Sequence, residues 1–260
     1  MLAHLKALVR HRDLLWTWVW RDIRVRYKQS LLGGLWAIIQ PLSLMLMFTL
    51  IFSIFAPLPT EGIPYPIFSY TALLPWTFFA TSITFAVTSL TNNMSLVTKI
   101  YFPREILPLA AVGTSLLDLG IAAIVLVGLM LFYWVPLSLT MLLFPVLLLI
   151  QITLALGIAF FASAVNVFYR DIRFIVPLAM QLWMYATPII YPVQLVPERY
   201  LPIYMLNPMA GLIEGYRSIL LHGEMPNWAY LGLSAGVSTV LFLAGYAYFK
   251  HVEPRFADII

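Results

Sequence analysis

The segment Arg21-Asp-Ile-Arg-Val-Arg-Tyr-Lys28 sets four cations, Arg21, Arg24, Arg26 and Lys28, beside a hydrophobic run. Cations so placed meet the anionic headgroups of a membrane surface. A lone carboxylate, Asp118, falls midway along an apolar stretch, where an ionised side chain is costly and turns toward a bundle interior or water. Proton relays generally need more than one such group. Asp118 therefore reads more simply as hydrogen-bonded to polar neighbours or as lining a vestibule. Two short connections combine charge with aromatic rings. The first comprises Lys99, Ile100, Tyr101, Phe102, Pro103, Arg104 and Glu105, and the second Phe168, Tyr169, Arg170, Asp171, Ile172 and Arg173. Neither can fold alone. Rings filling a partner's pocket while charges fix orientation would make them docking elements, although the basic residues of any cytoplasmic loop account equally for the spacing.

Catalysis is not expected. The chain has no G-x-x-x-x-G-K-[ST] loop to cradle a nucleotide, no H-E-x-x-H and no G-x-S-x-G. The lack of cysteine removes a disulfide framework, a thiolate nucleophile and a Cys-based zinc site, and no metal site is expected. His4, His11, His222 and His251 all fall in polar flanks or loops. No D-x-D and no intramembrane nucleophile–base pair supports a glycosyltransferase or a protease. An ion-coupled carrier would show inverted repeats and broken helices at matching positions, for which six spans and one intramembrane Asp offer little. The net charge of +4 does not point to nucleic acid, because Lys and Arg are distributed with respect to a bilayer.

The scaffold that must hold these residues is lipid-borne: 62% of the chain is hydrophobic and 10% charged, with a mean hydropathy of +0.91. Six segments, 31–55, 67–90, 106–133, 137–165, 174–196 and 228–249, offer the roughly 20 apolar residues that cross a hydrocarbon core. An open strand edge would leave backbone groups unpaired in lipid, so the expected fold class is all-α, a polytopic membrane protein with six transmembrane helices. With the N-terminus inside, thirteen of the 15 basic residues fall on the cytoplasmic side, all but Arg199 and Arg217. The short external connections at 57–65 and 134–136 hold none. Both termini are thus expected in the cytoplasm. The first hydrophobic run is too long for a signal peptide and lacks a small-residue cleavage site after it, so the N-terminus is expected to be retained.

Two further elements flank this core. Residues 198–221 are too polar and interrupted for a seventh span, and their apolar pieces, 201–206 and 209–221, are divided by Asn207-Pro208. They read as external helices dipping back toward the membrane, with an ordinary structured loop as the alternative. Residues 13–28, placed on a helix at about 100° per residue, put Leu15, Trp16, Val19, Trp20, Ile23 and Tyr27 on one face. Arg21, Arg24 and Lys28 share the other, interrupted by Trp18 and Val25. Such a helix lies in the cytoplasmic interface. Positive-inside anchoring explains the charges as well, though not three tryptophans within residues 16–20.

In order along the chain, these residues resemble the ABC-2 permease family, specifically its exporters of O-antigen, teichoic acid and capsular polysaccharide. The resemblance rests on Arg21–Lys28, on Leu31-Leu-Gly-Gly-Leu-Trp36 with Gln40-Pro41, and on Leu74-Pro-Trp76 and Lys99-Ile-Tyr-Phe-Pro103. It continues through Asn166-Val-Phe-Tyr-Arg-Asp171, Thr187-Pro-Ile-Ile-Tyr191 and Asn207-Pro208. It implies a homodimer bound to two copies of a separate ATPase that carries ATP and Mg, with no cofactor on this chain. It also implies a bacterial inner-membrane location and a substrate glycan on undecaprenyl diphosphate. The coupling helix of the family matches the region around Thr98–Leu107, with Thr98–Glu105 as its coupling residues, and the connection at Phe168–Arg173, with Tyr169, Arg170 and Asp171, matches another cytoplasmic contact. Arg21, Arg24, Arg26 and Lys28 would recruit the lipid diphosphate. Trp76, Phe79, Trp183 and Tyr185 would line a glycan path, while Asn207, Pro208, Glu214 and Arg217 belong to the external gate. A permease for a drug or small lipid would share this fold and differ in substrate.

Overall fold

A computed structural model describes residues 12–28, 30–60, 62–99 and 102–256. All regular structure among the described residues is helical. In chain order the helices are α1 (Arg12–Tyr27), α2 (Trp36–Leu50), α3 (Tyr65–Ser89), α4 (Met94–Lys99), α5 (Ile106–Phe132), α6 (Phe144–Phe168), α7 (Ile172–Tyr185), α8 (Leu201–Tyr204), α9 (Pro208–Arg217) and α10 (Trp228–Val252).

Among the described residues, five helical stretches are long and apolar enough to cross a membrane: Gly33–Phe55, Tyr65–Ser89, Ile106–Phe132, Leu139–Phe168 and Trp228–Arg255. They coincide with five of the six expected spans. The expected span at 174–196 differs. Its helix, α7, has 14 residues, about 21 Å at 1.5 Å per residue, against a hydrocarbon core of roughly 30 Å. Pro188 explains the stop, because it disfavours helical geometry in Thr187 and has no N–H to continue the ladder. Past the last helical residue, Thr187, Ile189 and Ile190 are buried in irregular backbone.

The centre of the bundle is α3, whose residues from Ile67 to Trp76 are all buried. It packs against α2, α5, α6, α7 and α9, and a helix surrounded in this way is apolar all round rather than on one stripe. α6 and α10 approach most closely at two glycines: a Cβ on Gly245 would stand 2.1 Å from the Gly157 carbonyl oxygen. Only glycine permits that backbone contact, as small residues do where membrane helices cross.

The interface helix departs from the face drawn for it. Trp18, placed on the polar side by helical periodicity, is buried with Val19 against the bundle, and Val19 fits against Gly113 of α5. Trp16 and Trp20 are about half exposed and meet edge to face at 5.7 Å. α1 therefore carries two apolar surfaces, one packed on protein and one turned outward.

Candidate functional site

Asp118 lies near the middle of α5, the sole charged residue of that helix. It is paired there. The Arg26 guanidinium engages Oδ2, and the Tyr27 hydroxyl donates to Oδ1 at 2.7 Å. Contacts between α1 and α5 run from Val19–Gly113 to Tyr27–Asp118. The C-terminal end of α1 thus sinks about 7 Å further along α5 than Val19 does. Burial, with the hydrogen bond to Asp118 second, pushes the Tyr27 phenol up to about 12. It stays a proton donor throughout the physiological range. The Arg26 guanidinium also lies over the Phe85 ring at 3.8 Å, a cation–π contact that favours the charge where water is scarce.

The pair opens on a cavity of about 610 Å³ walled by α1, α2, α3, α5 and α7. Trp36, Gln40, Trp76, Thr81 and Gln181 are among its lining. An apolar chamber with a few convergent polar groups is the usual form of a small-molecule or lipid-headgroup site. Of the four cations in the basic segment, only Arg26 reaches it. Arg21 holds Asp22 and Asn93 and stacks over Trp18 at 3.5 Å, while Arg24 and Lys28 are exposed.

The four aromatic residues of the expected path are placed differently from one another. Trp76 lines the cavity. Phe79 is fully buried behind it, and Trp183 stands edge-on to both, with centroids at 6.3 and 5.3 Å. Tyr185 is exposed at the end of α7.

At one end of the bundle, α1, the connection into α5 and the end of α10 converge. Phe102 stacks on Trp18, and Pro103 is partly buried beside it. The Arg104 guanidinium donates to the Glu253 carbonyl. Glu105, 1% exposed, pairs with Lys250 and accepts from the Tyr246 hydroxyl at 3.4 Å. Thr98 and Lys99 end α4, and Ile100 and Tyr101 lie outside the described residues. Tyr169, Arg170 and Asp171, between α6 and α7, are all exposed.

At the opposite end two short helices, α8 and α9, are divided at Asn207-Pro208, where the sequence divided the two apolar pieces. Asn207 caps α9 by accepting from the Met209 N–H at 3.1 Å, and Pro208 occupies the first helical position. The same side chain accepts from the Trp183 indole at 2.9 Å and donates to Thr187 Oγ1 and the Ala186 carbonyl. Arg217 is buried, lies over Phe68 at 3.7 Å, pairs with Glu214 at 3.1 Å and donates to the Ile189 carbonyl at 2.9 Å. Burial pulls its pKa down from the usual arginine value, and the Glu214 carboxylate opposes that pull. Together with the Tyr65 hydroxyl on the Ile190 carbonyl, Arg217 satisfies backbone left unpaired where α7 ends.

A network that sequence reading missed joins α9 to the core. Tyr216 of α9 donates to Gln151 Oε1 at 2.9 Å, and Gln151 Nε2 donates to the Pro75 carbonyl at 2.6 Å. The available signal was one amide side chain in the otherwise apolar middle of α6.

These features define a multi-pass helical membrane protein with a headgroup-sized chamber and two organised ends. A family model described as ABC-2 type transporter matches residues 13–221, and the chain belongs to that family. It is 32% identical over 265 residues to the O-antigen export system permease protein RfbA of Myxococcus xanthus, covering 100% of each chain. A Klebsiella pneumoniae protein of the same name is 31% identical with 95% of both chains covered. The polysialic acid transport protein KpsM of Escherichia coli is 25% identical over 90% of this chain and 91% of its own.

Proposed function

We propose that this chain is the permease subunit of an ABC exporter that moves O-antigen-like polysaccharide, carried on undecaprenyl diphosphate, across a bacterial inner membrane. The observation that carries the reading is the end-to-end match to an O-antigen export permease. The amphipathic chamber containing Arg26 and Trp76 supports it. In this reading α7 and the turns after it complete a sixth crossing, both termini are cytoplasmic, and the α8–α9 hairpin is re-entrant. Irregular backbone in a membrane needs protein around it and partners for its carbonyls, and Arg217 and Tyr65 supply these at Ile189 and Ile190.

Transport is mechanical on this account. Two copies of the chain pair with two copies of an ATPase that binds ATP and Mg, and nothing is hydrolysed on the permease. The exposed Tyr169, Arg170 and Asp171 and the region of Thr98–Tyr101 meet the ATPase. Phe102, Pro103, Arg104 and Glu105 pass its movement to α1, α5 and α10 through Trp18, Glu253 and Lys250. Arg21, Arg24, Arg26 and Lys28 attract the lipid diphosphate, with Arg26 deepest. Sugars slide past Trp76, which Phe79 and Trp183 brace, with Tyr185 beside the path. Asn207, Pro208, Glu214 and Arg217 hold the external gate.

Purifying the chain in mild detergent from its native membrane, with mass spectrometry of what accompanies it, tests this directly. A stoichiometric P-loop ATPase with measurable ATP turnover is expected. Recovery of the chain alone, from a preparation that keeps other membrane complexes intact, would overturn the ABC reading.

A further inference from the structure

We infer that the cavity contains an uncharged subsite, in which Gln40, Trp76, Thr77 and Gln181 hydrogen-bond the hydroxyl groups of a sugar whose anionic link lies toward Arg26. The inference rests on the proposed lipid-linked glycan for the identity of its natural ligand. The subsite itself rests on polar groups that face the cavity without partners in the protein.

The side chains of Gln40, Thr77 and Gln181 and the indole N–H of Trp76 all belong to the cavity wall, and none of them makes a hydrogen bond among the described residues. Trp76 is only 4% exposed, yet its unbonded nitrogen is not sealed away from the cavity. A ring so covered, with Trp183 edge-on to it, has no free face for a sugar to stack on. It offers the N–H as a donor instead. Gln40 and Gln181, on the largely apolar helices α2 and α7, stand exposed. An unpaired amide is unfavourable against hydrocarbon, so both side chains call for a polar occupant of the cavity.

α3 supplies acceptors. Thr77, Thr81 and Thr84 line the cavity from one helix face, at i, i+4 and i+7. Thr81 and Thr84 donate to the carbonyls of Thr77 and Ala80 at 2.7 and 2.8 Å, which leaves their oxygens to accept. A sugar hydroxyl both donates and accepts, and so matches this mixed set of neutral groups. Arg26 and Asp118 are the charged residues of the lining, and they lie to one side of the strip. The Arg26 guanidinium covers Phe85, and Thr77 is about 12 Å further along α3 at 1.5 Å per residue. A ligand anionic at one end and polyhydroxylated beyond it fits that order.

The test is photolabelling of the purified full chain in phospholipid nanodiscs with two probes, dodecyl glucoside and dodecyl phosphate, each carrying a diazirine beside its headgroup. Mass spectrometry should place the glucoside on the peptides that hold Thr77 and Gln181. Trp76→Phe, which keeps a ring and removes the N–H, should lower that labelling about threefold to tenfold, as one lost hydrogen bond does. Gln181→Leu should do the same, and both should affect the phosphate probe less. Glucoside labelling unchanged in variants that melt like wild type would overturn the inference. So would glucoside labelling of wild type confined to lipid-facing peptides, a result that needs no variant to fold. Undecaprenyl diphosphate glucose should compete with the glucoside. Failure to compete, with labelling still dependent on Trp76 and Gln181, would sink the diphosphate-lipid reading and leave the sugar subsite standing.

Discussion

The Tyr216 hydroxyl donates to Gln151 at 2.9 Å in the buried middle of the bundle, so α9 and the core of α6 share one hydrogen bond. Gln151 in turn holds the carbonyl of Pro75, one residue before cavity-lining Trp76. A movement of α9 is thereby tied to the wall of the chamber. Replacing Gln151 by Leu should leave Tyr216 without an acceptor and cost about 1–3 kcal/mol of stability. The pair Gln151→Leu with Tyr216→Phe should recover part of that loss, because both polar partners are then gone. A double-mutant cycle of melting temperatures in detergent checks this.

Glu105 and Lys250 form a second link, between the start of α5 and the end of α10. Since Glu105 is buried, Lys250→Met should leave an uncompensated charge and destabilise the chain by about 3–5 kcal/mol. Glu105→Gln together with Lys250→Met should be milder. If the link carries motion from the ATPase, the double variant should insert in the membrane and melt within a few degrees of wild type, yet lose most export. Surface polysaccharide measured against membrane-inserted protein distinguishes the two effects.

Gly245 tests the packing. Its Cβ position would stand 2.1 Å from the Gly157 carbonyl oxygen, so Gly245→Ala must force α6 and α10 apart, at about 1–3 kcal/mol as in other overpacked cores. Gly236→Ala, on the same helix with no atom within 4 Å of the added carbon, should melt like wild type.

Asn207 should be sensitive at the opposite end. Asn207→Ala removes the cap of α9 and its bonds to Trp183, Thr187 and Ala186. The lost cap alone is worth about 0.5–2 kcal/mol. Asn207→Asp keeps the cap but cannot donate to Thr187 or Ala186, and should fall between the two. Limited proteolysis at 196–207, in membranes, reports whether the segment before α9 has loosened.

Much of this architecture was legible because hydrocarbon imposes one rule: a long apolar run must be helical. That rule found α2, α3, α5, α6 and α10 closely. It overextended α7, since hydropathy continues past Pro188 where backbone geometry does not. Periodicity placed α1 but misassigned Trp18, because a helix packed on protein and also facing outward has no single polar side. Asp118 was visible as an anomaly of charge, whereas its partners on α1 were not. The bonds from Arg26 and Tyr27, like those of Lys250 with Glu105 and Gln151 with Tyr216, join residues far apart in the chain and depend on helix packing that spacing does not encode.

The central claim is that this chain carries a polysaccharide on its lipid across the membrane, and removing it from its own cell tests that most directly. Cells lacking the chain, with its neighbours intact, should lose the surface polysaccharide and accumulate the lipid-linked glycan on the cytoplasmic side, and a restored copy should reverse both. Undiminished surface polysaccharide, or its loss without accumulation of the lipid-linked form, would contradict the account.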